Sequence, residues 1–194
     1  MKRNLNTRRD EARLAALTIA VISAAGIAGG CEGARDLDAE LTPGAETTAA
    51  RARVVGTIDG DTVIVRRRGA IETVRLVGID APESVHPDRS VECGGDAASG
   101  ALARKLPEGA RVRLLRDPNR APSDRYGRSL RYLERGKGDI GEAMVRAGNA
   151  APYAYRGRPY GRQESYEVAA EEAQRAGDGV WGRCGGDFHL PEEG

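Results

Sequence analysis

RVVGTIDGDTVIVRRRGAIETVRLVGIDAPE, residues 53–83, decides the fold. Three runs rich in β-branched residues stand inside it, RVVGTI (53–58), TVIVRRR (62–68) and TVRLVGI (73–79), parted by Asp-Gly-Asp and Arg-Gly-Ala turn signals. That alternation predicts three strands in a meander. Downstream, DAASGALARKL (96–106) places Ala97, Ala101, Leu102 and Leu106 near helical spacing, and Pro107 closes the helix. RVRLL (111–115) and SLRYLER (129–135) read as two more strands, with the loop DPNRAPSDRYGR between them. DIGEAMVRAG (139–148) reads as a short helix with Ile140, Met144 and Ala147 on one face and a stop at Gly148. A third helix is predicted over 160–175.

Five short strands with a helix between the third and fourth is the order of an OB-fold β-barrel. The predicted class is therefore α+β, mainly β, with three helices. Such barrels commonly bind oligonucleotides, but a fold alone does not assign a function. A chain of 194 residues that is 40% hydrophobic supports one sizeable core. All eight aromatic residues fall in the C-terminal half, so the first half must pack on Val, Ile, Leu and Ala. No internal repeat is present.

The formal charge of +1 hides an asymmetry. Residues 1–30 carry Lys2, Arg3, Arg8, Arg9 and Arg13 against Asp10 and Glu11, which leaves −2 for the remainder. A near-neutral body argues against gripping nucleic acid by bulk charge, so any polyanion must be held by placed arginines. The basic start runs into an apolar stretch, Leu14 to Ala28, and then into small residues ahead of Cys31. This is the layout of a bacterial export signal over 1–30, too short for the ~20 residues of a permanent membrane span. Cys31 resembles a lipoprotein acylation site, although Ala28 stands where such sites carry Leu. Lipid anchorage and free secretion are both open. Residues 31–50 form an acidic, Ala- and Thr-rich tether. The folded domain is expected over 51–186, with 187–194 as a loose tail.

Export also decides the cysteines. With Cys31 taken by lipid, Cys93 and Cys184 remain as a pair in an oxidising compartment, where they are predicted to be bonded. A zinc site is disfavoured, because neither has a Cys or His neighbour at ligand spacing.

The chemistry gathers at two turns. IDGDTV (58–63) enters one strand, and VRLVGIDAPE (74–83) is read as a strand that ends in acids. Asp61 and Asp80 supply hard oxygens, as do the backbone carbonyls beside them, which suits Ca²⁺ better than a softer metal. Glu83 follows Pro82, whose fixed φ helps aim the carboxylate over the same end. Arg75 starts the strand that leads to Asp80, and Arg128 lies in the loop DRYGR. Arginine forks match phosphate oxygens and, with a divalent cation, can stabilise the charge of a pentacoordinate phosphorus.

IDGDT, RLVGIDAPE, HPDRSVECGGDA, DRYGRSLRYL, GEAMVRAGNA and PYAY occur in that order. In this the chain resembles the staphylococcal nuclease (thermonuclease) family over roughly Arg53 to Trp181. The resemblance implies an OB-fold barrel with three helices and a calcium-dependent nuclease acting on DNA and RNA to leave 3′-phosphate ends. It implies that Asp61 and Asp80 bind Ca²⁺ through their carboxylates and Ala81 through its carbonyl. Glu83 matches the general base, and Arg75 and Arg128 match the phosphate-binding arginines. Tyr126, Tyr153, Tyr155 and Arg125 match residues of the nucleotide pocket. Asp88 replaces a basic residue of the family's loop, leaving Arg89 to contact substrate.

Taken singly these residues have plain structural readings: turn acids, surface ion pairs, and tyrosines packing the barrel on its helices. His86 and His189 read as surface residues rather than metal ligands. The rival to an enzyme is a catalytically inactive OB module, a nucleic-acid- or protein-binding lipoprotein. Such a module would typically lack the acids or arginines, and here all are present. A monomer is the default, with no obligate protein partner.

Overall fold

The computed structural model describes residues 49–85 and 90–192. Strands β1 (Ala50–Thr57), β2 (Thr62–Arg67) and β3 (Ala70–Leu76) form the predicted meander, with β2 antiparallel to both neighbours. β5 (Arg111–Leu115) pairs with the free edge of β1, and β6 (Ser129–Arg135) pairs with β5. The sheet closes where β6 runs parallel to β3, Val74 facing Ser129 and Arg75 facing Leu130. Closure removes both sheet edges and gives the five-stranded barrel.

Alternation drives this closure. In β1 and β5 every second residue is buried, Ala52, Val54, Val112 and Leu114 facing in while the arginines between them face out. Val63, Val65 and Val74 are wholly inaccessible, so the strands ahead of the first aromatic residue do pack on small branched side chains. Gly56 marks a β-bulge: the register slips between Val54 and Gly56, leaving Val55 as the extra residue that bends the strand.

Helix α1 (Gly95–Lys105) crosses between β3 and β5 in sequence, as predicted, but buries Ala98 where the spacing had suggested Ala97. α2 (Ile140–Arg146) is capped by Asp139, whose side chain accepts from the Glu142 amide at 3.3 Å. α3 (Gln163–Ala176) starts three residues later than expected. It packs on α2 through Tyr166, whose hydroxyl donates to Asp139. A further short helix, α4 (Val180–Arg183), precedes Cys184.

Two further sequence readings change. The strand expected to run unbroken from Val74 into the acids stops at Leu76. Gly78 turns the chain with φ +83°, and Asp80 belongs to a separate two-residue strand, β4 (Ile79–Asp80), paired with β7 (Ala151–Pro152). Tyr160 packs where a Gly78 side chain would sit, so only glycine serves there. Residues 187–192 also fail to trail loosely. The Cys93 amide donates to the Leu190 carbonyl at 2.7 Å, the Glu192 amide donates to Val91 at 2.8 Å, and Phe188 is buried edge-on against Trp181. The physical reason is the bond between Cys93 and Cys184, which delivers the chain end beside residues 91–93.

Candidate active site

Strand pairing builds the site. Thr62 faces Arg75 across β2 and β3, and the Leu76 amide donates to the Asp61 carbonyl at 2.9 Å, so the Asp-Gly-Asp turn lies beside Arg75. Gly60 permits this closeness, because a Cβ there would stand 2.6 Å from that of Ala81 and 2.9 Å from that of Ala98. Asp59 accepts from the Asp61 amide at 2.9 Å and stiffens the turn.

Asp61 is 5% exposed and fully engaged. Its Oδ1 accepts from the Thr62 hydroxyl at 3.0 Å, and its Oδ2 accepts from the Ala81 amide at 3.0 Å and lies 2.8 Å from Arg75 Nη2. The same Nη2 is 2.8 Å from Asp80 Oδ1. Arg75 Nη1 donates to the carbonyls of Leu76 and Ile79 at 3.1 and 2.8 Å, which holds the guanidinium between the two acids. Burial pushes the Asp61 carboxyl up to about 7; Arg75 opposes the rise, while Asp59 and Asp80 add to it. Burial also raises Asp80, against the pull of Arg75 and His189.

One guanidinium therefore serves two partly desolvated carboxylates with a third acid, Asp59, adjoining. This surplus of negative charge, offered entirely by oxygen atoms, fits a hard divalent cation. Among the described residues no three acidic, histidine or cysteine side chains are grouped to hold a metal. An ion on Asp61 and Asp80 would complete its shell from backbone carbonyls, that of Ala81 among them, and water.

Barrel closure brings Arg128 to the same place. It immediately precedes β6, and β6 lies beside β3, so two arginines 53 positions apart in the chain line one open cavity of about 480 Å³. Asp124 orients Arg128 by accepting from its Nε at 2.7 Å and from its backbone amide at 2.9 Å. Burial works to raise the Asp124 carboxyl, but these bonds outweigh it and hold the group below the usual range. Tyr126, Tyr153 and Tyr155 line the cavity and are 67%, 42% and 49% exposed, so they stand in solvent instead of packing the barrel. Packing falls to Tyr132, Tyr160 and Tyr166. The exposed Arg125 stacks 4.6 Å from the Tyr126 ring centroid.

Glu83 stands apart from this cavity. Its Oε1 accepts from the amides of Ser84 and Val85 at 3.0 Å, and its own amide donates to Glu92 Oε2 at 2.8 Å. Arg89 and Cys31 lie outside the described residues. The sequence reading leaves Glu92 and Asp124 without a role and takes His189 only as a surface residue. Asp124 carried a signal, an acid four positions before Arg128. His189 carried none, since its neighbours Glu92 (Nδ1 to Oε2, 3.2 Å) and Asp80 (Nε2 to Oδ2, 3.5 Å) are about a hundred residues away.

Carboxylates and arginines gathered on one open cavity of a small β-barrel define a protein built to receive a phosphate-bearing ligand. The profile of the family described as Staphylococcal nuclease homologue matches residues 73–183. The chain is 37% identical over 129 residues to the thermonuclease of Staphylococcus hyicus, covering 66% of this chain and 74% of that one. It is 38% identical over 118 residues to the thermonuclease of Staphylococcus intermedius, covering 61% and 66%. An SPbeta prophage-derived endonuclease, YokF, of Bacillus subtilis is 29% identical over 129 residues, which is 43% of its length. The protein belongs to the staphylococcal nuclease family.

Proposed function

We propose that this protein is an exported, calcium-dependent nuclease that hydrolyses phosphodiester bonds of DNA and RNA and leaves 3′-phosphate ends. The observation that carries the reading is the pairing of Arg75 with both Asp61 and Asp80 at the wall of the cavity, lined by Arg75 and Asp80, that Arg128 also lines. Relatives named thermonuclease and endonuclease support the phosphodiester chemistry.

Asp61, Asp80 and the Ala81 carbonyl would hold Ca²⁺, which when bound supplies positive charge beside the scissile phosphate. Arg128 donates to a non-bridging oxygen from the far wall, its fork already aimed by Asp124. Arg75 sits between the acids and donates once they turn to the cation. Glu83 would accept a proton from water as the water oxygen attacks phosphorus, once its carboxylate leaves the Ser84 and Val85 amides and turns toward the phosphate. The P–O5′ bond breaks, the 5′ oxygen leaves and takes a proton from solvent, to which Glu83 returns the one it accepted, and the phosphate stays on the 3′ side. Tyr126, Tyr153, Tyr155 and Arg125 stack on and flank the nucleotide, and Arg89 would reach the strand from its loop.

The Cys93–Cys184 bond supports an oxidising compartment, in keeping with the export signal read over 1–30 and with Cys31 as an attachment point. The test is degradation of DNA and RNA by the mature protein in Ca²⁺ and in chelator, alongside Arg75→Ala, Glu83→Gln and Arg128→Ala. Cleavage that needs Ca²⁺ and falls at least a hundredfold in each variant is expected. A wild type inert in Ca²⁺, or variants as active as wild type, would remove the enzyme reading.

A further inference from the structure

A second concentration of charge lies at the opposite end of the barrel strands and is unused by the site above. Arg51 and Arg53 project from β1, Arg66 from β2, and Arg111 and Arg113 from β5, all exposed and all lining one shallow groove. The register sets them against one another: Arg53 faces Arg66 on one side and Arg111 on the other, and Arg51 faces Arg113. Like charges directly opposite across strands destabilise a sheet. In a chain whose formal charge is +1, five arginines on one face are a local excess rather than a general basic character. Glu134 answers only Arg113 and is shared with Arg162; among the described residues Arg51, Arg66 and Arg111 have no acidic partner. Alternate residues on a strand stand about 6.6 Å apart and neighbouring strands about 4.8 Å, so the guanidiniums form a grid suited to repeated phosphates.

We propose that this arginine grid is a second binding surface for the phosphate backbone of a polynucleotide, engaging the part of a long substrate that lies outside the catalytic cavity. The proposal rests on the nuclease reading for its occupant. The grid and cavity share no lining residue. Asp61 and Arg66 are separated by five residues of extended chain, about 16 Å, which a strand of several nucleotides spans. A lipid surface is the poorer occupant, because the grid carries only Ile71, opposite Arg66, as an exposed apolar side chain to insert. Binding by bulk charge is disfavoured for a near-neutral body; a grid of this kind supplies the local grip instead.

The test uses the full chain with Arg51, Arg53, Arg66 and Arg111 each changed to Gln, and Arg51→Gln/Arg111→Gln as a milder variant. Binding of a fluorescent single-stranded 30-mer is followed in chelator, where no cleavage complicates it, from 50 to 300 mM salt. Four lost phosphate contacts should reduce the slope of log K against log salt by about 3, and two by about 1.4. Affinity at 0.1 M salt should fall on the order of tenfold or more in the fourfold variant. Cleavage of a dinucleotide substrate in Ca²⁺ should be unchanged, and the melting temperature equal to wild type or above it. An unchanged slope in a folded variant overturns the proposal while leaving the nuclease reading intact. So does loss of binding to phosphatidylglycerol vesicles with 30-mer binding retained. If wild type cleaves nothing but the slopes fall as stated, the nuclease reading fails and the grid stands.

Discussion

Removing the disulfide, by Cys93→Ser together with Cys184→Ser, should destabilise the protein more than any single surface change. The bond joins residues separated by 91 positions. In the chain-entropy treatment a loop of that length withholds about 15 cal/mol/K from the unfolded chain, or about 4.6 kcal/mol at 25 °C. For an ordered body of roughly 140 residues the unfolding entropy is about 0.3 kcal/mol/K, so the melting temperature should fall by about 15 °C. Folded-state packing sets a further, local expectation. Val180, Cys184 and Phe188 form a small cluster separate from the barrel core, and the segment through Glu192 is tied to residues 91–93 by backbone bonds. That cluster should detach first. Trp181 is the only tryptophan and lies in α4, so its fluorescence reports the cluster while far-UV circular dichroism reports the barrel. Urea denaturation of the oxidised wild type and the double variant, followed by both probes, checks the reasoning. A stability loss under about 1 kcal/mol by circular dichroism would refute the entropic account.

Three other expectations concern the site. In chelator, Asp61 holds its proton to about pH 7 in the folded protein, whereas the unfolded chain releases it near 3.8. The folded state thus loses stability as pH rises through that window. Relative to wild type, Asp61→Asn should gain up to about 4 kcal/mol between pH 4 and 7.5, and a pH-independent difference in denaturation midpoints would contradict this. Asp124→Ala should lower kcat/KM about tenfold by freeing Arg128, yet shift stability by under about 1 kcal/mol, since the pair is partly solvated; steady-state kinetics and melting curves separate the two effects. Gly60→Ala drives a methyl into Ala81 and Ala98 and should destabilise by about 1–3 kcal/mol while displacing Asp61, read as a lower melting temperature and weaker calcium response.

The five barrel strands were legible because each alternates or runs in β-branched residues long enough to set a period, from RVVGTI to SLRYLER. The two-residue strands at Ile79–Asp80 and Ala151–Pro152 carry no period at all and exist because Gly78 turns the chain onto a distant partner. The same division holds in the site. Asp61 and Asp80 stood out because turn acids next to a strand have a recognisable local form, and Arg75 and Arg128 because arginine forks match phosphate oxygens; the role of each came from the resemblance to a known family. That a single Arg75 nitrogen bridges both acids, that Asp124 aims Arg128, and that Tyr126, Tyr153 and Tyr155 face solvent while Tyr132, Tyr160 and Tyr166 pack, are outcomes of closure between β3 and β6.

By itself, then, the sequence determined what depends on neighbours in the chain: strand periods, turn chemistry and the hard-oxygen character of the acids. The tertiary structure alone decided what depends on residues far apart in the chain. It set Arg75 between two carboxylates, folded the expected tail back as far as His189 and Asp80, and gathered five arginines from three strands into one face. Local pattern is written in spacing of two or four residues; closure of a barrel is a long-range event, and spacing carries no record of which side chains it brings together.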